Sequence, residues 1–538
     1  MSIKSLLTTN VSILALTIAT TVALTMPVQA KTFKYAFQGD AQSLDPHSLN
    51  ETFTLGLLGN VYEPLIDYDK DMKKIPGLAT KWEATSPTTW AFELRKGVKF
   101  HNGNPFTADD VIFTWKRMLS EGSDQKARAA LIKDIKKVDD FHIIVETPVP
   151  NPTVLNEMTQ MYVMDKEWAE KHNAVKSSSP KDAGRDGSYA TTHENGTGPF
   201  IVESRQPDVK TVLVRYKDHW NKDIATNIDR VEFTPIKQAA TRVAALLSGQ
   251  IDLVFPVPVQ DWNRLTKAPS VKALNGPEAR TIFLGMDQSR DELLHSSVKG
   301  KNPFKDVRVR KAFAHAINLD AIKKAIMRGA STPSGLMWAP QIQGYNAASN
   351  TPYKYDPETS KKLLKEAGYP DGFTVTMDCP NNRYVNDEKI CQAVASMLAK
   401  VGVKIDLLAQ PKSKYFAKVL AQGGYDTSFY LLGWTPASMD VYNVFNSLIV
   451  CQNKEKKAGS FNLGNYCNKK VDELTKIIAS ETDVAKRQAA IDEAAKIIQD
   501  EVGYLPLHQQ PLSWGVRDGV KVAQRADNVL DYRDVVMP

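Results

Sequence analysis

Short helix-like and strand-like segments alternate along this chain, and this alternation restricts the possible fold more than any other feature of the sequence. Residues 239–255 read AATRVAALLSGQIDLVF, which predicts a helix that ends near Gly249 and a strand that starts at Ile251. Residues 389–401 predict a second helix, and residues 403–408 predict a strand directly after it. Helices and strands joined by such short connections build layered sheets, so we predict an α/β fold.

A helix start is also visible near residue 107. Thr107 is followed three positions later by Asp110, which is the pattern of a capping box, and apolar positions come directly after it. We therefore expect a helix whose first residue follows Thr107.

The chain is too long for one ordinary core. It has 538 residues, which favours two or three domains. Hydrophobic residues make up 42% and charged residues 24%, as is usual in soluble globular proteins. The net charge of +7 is spread thinly, and no run of five or six basic residues occurs, so the sequence disfavours nucleic-acid binding.

The first thirty residues have the pattern of a signal peptide. Lys4 supplies a positive start, residues 11–26 form an uncharged apolar run, and residues 28–30 (VQA) fit a small-x-small cleavage site. We predict cleavage after Ala30 and a mature chain that begins at Lys31. The apolar run is too short for a membrane span, and the residues on either side of it do not fit one. We therefore expect a soluble protein exported to the periplasm.

Four cysteines fall into two local pairs. Cys379 and Cys391 are 12 positions apart, and Cys451 and Cys467 are 16 positions apart. In an oxidising compartment such pairs predict two disulfides. A metal site is the alternative, although no CxxC motif occurs and no histidine lies near either pair. Because the first cysteine is Cys379, we expect no lipid anchor at the cleavage site.

Sequence signatures of catalysis are missing. The chain contains no GxxxxGK[ST] phosphate loop, no HExxH zinc helix and no GxSxG elbow. Its nine histidines are scattered, and none pairs with another at i+3 or i+4. We therefore predict a binding protein without catalytic residues, without a cofactor and without a metal ion of its own.

Residues 431–440, LLGWTPASMD, place a large aromatic side chain where a strand ends. Residues 425–432 are strand-like, and Gly433 ends the regular pattern, so Trp434 lies at or just past the carboxyl end of this strand. Ligands of open α/β sheets bind at that edge. Trp434 is thus a candidate ligand contact; the alternative is that it only packs under a loop.

Several longer stretches resemble one known family. Residues 75–119, IPGLATKWEATSPTTWAFELRKGVKFHNGNPFTADDVIFTWKRML, are similar to the signature block of the extracellular solute-binding proteins of the dipeptide and oligopeptide class, family five. Further similar stretches are GTGPF at 196–200, KDVRVRKAFAHAINLDAI at 305–322, YDPETSKKLLKEAGYPDGF at 355–373 and GNYCNKKVDELT at 464–475. The resemblance covers nearly the whole mature chain in order.

The resemblance implies two lobes that close over a ligand, with an extra subdomain in a discontinuous first lobe. The implied division is a signal peptide at 1–30, lobe I at 31–83, its extra subdomain at 84–197, lobe I again at 198–290, lobe II at 291–507 and a lobe I return at 508–538. The implied function is capture of a solute in the periplasm and its delivery to an inner-membrane ABC permease, by a monomer.

The resemblance also implies where the ligand binds. The GW segment of the family lines the cleft, which assigns Gly433, Trp434 and Thr435 to the site. The dipeptide-binding branch has an aspartate for the ligand ammonium three residues after the tryptophan, where this chain has Ala437. Its arginine for the ligand carboxylate corresponds to Asn381, and the nearest guanidinium is Arg383. We therefore expect peptides or peptide-like solutes, with haem, metal chelates, glutathione or sugar-like ligands as the alternative.

Overall fold

A computed structural model describes residues 30–178, 188–420, 423–436, 438–453 and 458–538. The predicted signal peptide up to residue 29 and the candidate site residue Ala437 lie outside the described residues. Among the described residues, no helix combines the length and the apolar character that a bilayer crossing needs.

Most strands are short. In the described residues they are β1 Thr32–Phe37, β2 Ile66–Tyr68, β3 Lys74–Pro76, β4 Ala79–Ser86, β5 Thr89–Leu94, β6 Asp134–Asp139, β7 His142–Glu146, β8 Phe200–Gln206, β9 Lys210–Arg215, β10 Arg230–Pro235, β11 Leu253–Phe255, β12 Val271–Leu274, β13 Pro277–Met286, β14 Thr332–Pro333, β15 Thr374–Pro380, β16 Lys404–Gln410, β17 Phe429–Trp434, β18 Leu505–Pro511 and β19 Trp514–Arg517.

The α-helices vary from single turns to 17 residues. In the described residues they are α1 Thr52–Leu58, α2 Ala108–Met118, α3 Lys126–Ala129, α4 Val154–Met158, α5 Lys166–Lys171, α6 Ala239–Leu247, α7 Trp262–Lys267, α8 Val307–Ala316, α9 Leu319–Ala321, α10 Pro357–Glu366, α11 Asp387–Ala399, α12 Lys412–Val419, α13 Val441–Val444, α14 Lys469–Ser480 and α15 Val484–Asp500.

The predicted alternation of helices and strands is confirmed. Helix α6 ends two residues before Gly249 and β11 follows it, while α11 is followed by β16. The capping box at α2 is also present: the Thr107 side chain accepts a hydrogen bond from the start of the helix, and the Asp110 carboxylate accepts one from the Thr107 nitrogen at 2.8 Å.

The first large sheet has seven strands in the order β12-β19-β11-β1-β10-β9-β8. Strand β1 lies in its centre and runs parallel to both neighbours, β10 and β11. Tyr35 and Ala36 of β1 belong to different core clusters, because successive side chains of a strand point to opposite faces. The sheet is therefore covered on both sides.

The second large sheet has six strands in the order β14-β18-β13-β17-β15-β16. Strand β13 is antiparallel to β17 and β18, whereas β15 and β16 are parallel. Ile282 and Phe283 of β13 point into two separate cores, so this sheet is also buried on both faces. Two covered sheets in one chain confirm the predicted α/β class.

Two chain crossings connect the large sheets. Strand β12 of the first sheet leads into β13 of the second, and β18 of the second leads back into β19 of the first. The crossings are hydrogen-bonded to each other, since Pro277 pairs with Pro511 and the nitrogen of Leu512 donates to the carbonyl of Gly276 at 2.7 Å. The first sheet is thus built from separate parts of the chain.

A smaller sheet has four strands in the order β4-β5-β7-β6. In the sequence, these strands come after β1 and before β8 of the first sheet. The smaller sheet has its own core, in which Phe92 and Ile143 pack with residues of α2. The expected bounds at residues 84 and 507 fall inside β4 and β18. We therefore propose domain boundaries that keep these strands whole.

Both predicted disulfides are present. The S–S distance is 1.99 Å for Cys379–Cys391 and 2.02 Å for Cys451–Cys467, and no cysteine of the described residues is free. The first disulfide joins the end of β15 to the second turn of α11. The alternative of a metal site at these cysteines is therefore wrong.

The environment of Lys31 leads to a prediction about processing. The Lys31 nitrogen donates to Oδ2 of Asp229 at 3.0 Å. Cleavage after Ala30 converts this amide into an α-ammonium group, so a mature chain that starts at Lys31 should form an ion pair with Asp229. Because an acidic partner favours the charged form, we expect the α-amine pKa to rise above its ordinary value of about 8. The pair then stabilises the fold below about pH 8, and this contribution is lost as the pH rises through the raised pKa.

N-terminal sequencing of the exported protein and pH-dependent labelling of its α-amine check this expectation. Asp229→Asn should return the α-amine pKa to its ordinary value, whereas Asp223→Asn, a change at an exposed acid nearby, should leave the raised value unchanged. A different first residue, or the same α-amine pKa in all three proteins, would show that the prediction is wrong.

Candidate ligand-binding site

The GW segment forms the end of β17. Gly433 pairs with Ile282 and Trp434 pairs with Thr281, both on β13. A Cβ at Gly433 would lie 2.6 Å from Cδ1 of Ile282 and 2.8 Å from Cε1 of Tyr384. The Tyr384 hydroxyl donates to the Gly433 carbonyl at 3.2 Å. The glycine therefore allows the Tyr384 ring to lie directly against the strand.

Trp434 is the last residue of β17, as the sequence predicts, and it is half-buried. Its Nε1 donates to Oδ1 of Asn443 at 2.9 Å, and its ring centroid lies 4.8 Å from that of Phe461. The Thr435 hydroxyl oxygen next to it is buried and has no hydrogen-bond partner among the described residues. An aromatic surface beside an unused hydroxyl suits a ligand with both apolar and polar parts.

Ala437 has no described position, but the residues after it have defined contacts. The Ser438 carbonyl accepts a hydrogen bond from Nδ2 of Asn156 at 2.7 Å, which connects this loop to α4 beside the smaller sheet. Asp440 is fully buried and pairs with Arg487, with N–O distances of 2.7 and 3.0 Å. The Asp440 carboxylate is therefore occupied by a structural ion pair.

Asn381 and Arg383 lie in the loop between β15 and α11. The Asp387 carboxylate accepts the backbone N–H groups of Arg383 at 2.8 Å and of Tyr384 at 3.0 Å. The first disulfide joins the strand before this loop to the helix after it. Asn381 is exposed at the start of the loop. The loop backbone is thus held by a covalent bond and by a buried carboxylate.

The Arg383 guanidinium has no hydrogen bond or ion pair with any described residue, although its Cζ lies 5.1 Å from the centre of the Tyr384 ring. The side chain is accessible to solvent. Its pKa is nevertheless lowered, first because the surrounding protein displaces water and second because Arg280 is close. We call the surface around the Tyr384 ring, against which Arg280 and Arg383 lie, the Tyr384 recess.

Arg280 was not identified from the sequence. It lies on β13, and its Cζ is 5.9 Å from the centre of the Tyr384 ring. Its Nε donates to Oε1 of Glu278 at 3.0 Å, and Oε2 of Glu278 accepts from Nε2 of Gln510 at 2.6 Å. The signal in the sequence is the charged pair Glu278 and Arg280 inside the segment GPEARTIFLGM, whose other residues are apolar or small apart from Thr281.

A carboxylate from the N-terminal part of the chain also acts on this recess. The negative charge of Glu51 raises the pKa of Arg383, but this effect is smaller than the two effects that lower it, which are burial and the charge of Arg280. The Glu51 oxygens accept hydrogen bonds from the backbone of Phe53 and from both the nitrogen and the hydroxyl of Thr54, at 2.8 to 3.0 Å. Arg383 therefore lies within electrostatic range of both Arg280 and the start of α1.

Two surface pockets lie elsewhere. One, of about 570 Å³, is lined by Arg310 and Glu501, but Arg310 already donates to backbone carbonyls through Nε and both terminal nitrogens. The other, of about 680 Å³, lies on the smaller sheet beside the ion pair of Lys81 with Glu93. Neither includes the GW segment or Arg383, so we place the candidate site at the Tyr384 recess.

Comparison with known proteins gives a family match. Residues 73–456 match the model described as bacterial extracellular solute-binding proteins, family 5 Middle. Glutathione-binding protein GsiB of Shigella flexneri serotype 5b is 26% identical over 501 residues, which is 92% of each chain. GsiB of Salmonella choleraesuis is 27% identical over 499 residues, again 92% of each chain.

Solved structures show the same fold. The substrate-binding protein CtaP of Listeria monocytogenes superposes with a TM-score of 0.81 at 21% identity, covering 94% of this chain and 99% of that one. DppA of Helicobacter pylori in complex with the peptide STSA gives 0.76 at 24% identity, covering 94% and 98%. A dipeptide-binding protein of Pseudoalteromonas in complex with Met-Leu gives 0.75 at 21% identity, covering 94% and 100%. The two-lobed periplasmic binding protein fold is thereby confirmed.

The close approach at Gly433 leads to a stability prediction. Gly433→Ala places a methyl group within 2.8 Å of the Tyr384 ring, so we expect the ring to move and the free energy of unfolding to fall by about 1–3 kcal/mol. The matched control is Gly39→Ala, because the nearest atom to a Cβ there is 3.8 Å away. Urea denaturation of both variants and of the wild type measures the difference. Equal stabilities for the two variants would contradict the assigned role of Gly433.

Proposed function

The chain belongs to the bacterial extracellular solute-binding proteins of family 5, a non-catalytic family that works with ABC transporters, and from this premise we propose that it captures peptides or peptide-like solutes for an inner-membrane permease. The ligand would bind between the two large sheets at the Tyr384 recess. The single observation that carries the proposal is the Arg383 guanidinium, which is accessible, unpaired among the described residues and surrounded by protein.

The proposed site combines the sequence candidates with the recess. Trp434 and Thr435 would contact the ligand through an aromatic face and an unused hydroxyl. Arg383 would hold an acidic group, because a guanidinium donates two parallel hydrogen bonds to a carboxylate. Gly433 and Asn381 would shape the walls. Glutathione, named for the GsiB relatives, and the peptides named for two structural neighbours all carry carboxyl groups, which supports this ligand class.

Ala437 sets a limit on the ligand. An unpaired ammonium in a closed cleft costs several kcal/mol, and an alanine side chain offers it no charge. A free N-terminal ammonium near residue 437 is therefore not part of the proposed recognition. The same observation favours a second candidate function in which the fold binds a non-peptide solute, such as haem, a metal chelate or a sugar-like ligand.

Location and assembly belong to the same proposal. We propose that the protein acts in the periplasm as a monomer, after cleavage behind Ala30 and without a lipid anchor. The first lobe would contain the seven-stranded and four-stranded sheets, and the second lobe the six-stranded sheet.

Calorimetry with free, N-acetylated and C-amidated peptides tests the site. We expect N-acetylation to change the affinity by less than tenfold, because no ammonium partner stands at residue 437. Trp434→Ala should weaken binding by about 1–3 kcal/mol through lost apolar contact. Ala437→Asp should create a preference for free over acetylated peptides, which wild type lacks.

The matched control for the tryptophan is Tyr355→Ala, at an exposed aromatic residue, and it should bind as wild type does. If free dipeptides bind tightly and acetylation weakens them more than tenfold, an ammonium partner exists elsewhere. If Trp434→Ala binds every ligand unchanged, the tryptophan is only a packing residue.

Closure of the two lobes is a separate prediction. The hydrogen bond from Asn156 to the Ser438 carbonyl joins the smaller sheet's side of the cleft to the second large sheet, so it should form only in the closed protein. We expect saturation with ligand to reduce the radius of gyration in small-angle X-ray scattering, and Asn156→Ala to weaken binding several-fold. Asn263→Ala, at an exposed position of α7, is the control. Identical scattering with and without ligand would contradict closure.

A further inference from the structure

We propose that Arg280 and Arg383 together form one carboxylate-binding unit. The protein would then recognise its ligand through a free carboxylate of the ligand, placed beside the Tyr384 ring. This inference rests on the proposed function, since it concerns the same cleft. It adds a specificity-determining residue, Arg280, that lies on a crossing strand rather than in the loop that holds Arg383.

Arg280 is a buried guanidinium whose donors are only partly used. Every other residue from 279 to 286 of β13 is apolar, small or a threonine, and the Arg280 side chain is only 9% exposed. A buried guanidinium is stable where acceptors pair its charge and its N–H groups. Glu278 satisfies only the Nε group, at 3.0 Å. A guanidinium has five N–H donors, so the four on the terminal nitrogens have no partner among the described residues.

Arg383 brings a second unused guanidinium to the same place. The two Cζ atoms lie 5.9 and 5.1 Å from the centre of one Tyr384 ring, so their separation cannot exceed the sum of these distances. Two like charges at this range repel each other, and Arg280 accordingly lowers the pKa of Arg383. An anion bound between them removes this repulsion and accepts their free N–H groups.

The nearby acids do not already fill this role. Asp387 is used by backbone N–H groups, which it accepts from Arg383, Tyr384 and Glu388. Both Glu278 oxygens are occupied, one by Arg280 and the other by a neighbouring glutamine. Glu51 is also engaged, since its oxygens accept from the backbone of Phe53 and Thr54. The unused N–H groups of the two guanidinium groups are therefore left for a carboxylate of the ligand.

A chain of hydrogen bonds fixes the two arginines relative to each other. Glu278 binds Arg280 and accepts from Gln510 of β18, and Oε1 of Gln510 accepts from the Val385 nitrogen at 3.0 Å in the Arg383 loop. These hydrogen bonds therefore link both crossing strands, β13 and β18, to the loop that carries Arg383. A carboxylate held by both guanidinium groups would bridge β13 and this loop, so a crossing strand itself would take part in recognition.

The test uses calorimetry with glutathione and a set of tripeptides, each as the free acid and as the C-terminal amide. We expect wild type to prefer the acid by at least tenfold. Arg280→Gln and Arg383→Gln should each remove most of this preference, and Arg280→Lys, which keeps the charge but not the planar fork, should restore part of it. Arg308→Gln, at an exposed arginine paired with Asp306, is the control and should keep the full preference.

The outcomes separate this inference from the proposed function. If acids and amides bind wild type equally, the protein still binds peptides but the carboxylate unit does not exist. If Arg280→Gln folds normally by circular dichroism and keeps the preference, Arg280 is structural and the inference is wrong. If no peptide binds in either form, the proposed peptide-like ligand is wrong. The affinities of succinate and of its diamide are then compared. If both bind equally, or neither binds, the carboxylate unit is wrong as well.

Discussion

The pairing of the two crossing segments is the interaction on which the other features of the molecule depend. Pro277 lies opposite Pro511, and the Leu512 nitrogen donates to the Gly276 carbonyl. This pairing fixes where the first sheet ends and the second begins. Strands β13 and β18 continue from it side by side, and the register shift between Pro277 and Thr281 contains Glu278 and Arg280, two residues of the candidate site.

The candidate site is assembled around one ring from three separate parts of the chain. Tyr384 packs against Gly433, donates to its carbonyl and lies below both arginine side chains. The glycine makes the ring's position possible, and the first disulfide together with Asp387 holds the loop that carries it. Recognition of an acidic group would thus depend on packing as much as on charge.

Local patterns were sufficient to predict part of this arrangement from the sequence. The α/β class, the capping box at Thr107, both disulfides and the position of Trp434 at a strand end depend on residues close together in the chain, and all are confirmed. The convergence of Arg280 with Arg383 was missed, because it depends on pairing between distant strands. The ligand contacts of Asn381 and Trp434 stay predictions.

The seven-stranded sheet also has a consequence for the order of folding. Strand β19, residues 514–517, lies between β11 and β12, which come more than 200 residues earlier in the chain. Until it arrives, those two strands have no partner between them, and the first sheet stays open. Contacts so distant in sequence form slowly. A chain that emerges from the ribosome therefore remains incompletely folded through almost all of its synthesis, which is the condition in which a polypeptide can be threaded across a membrane.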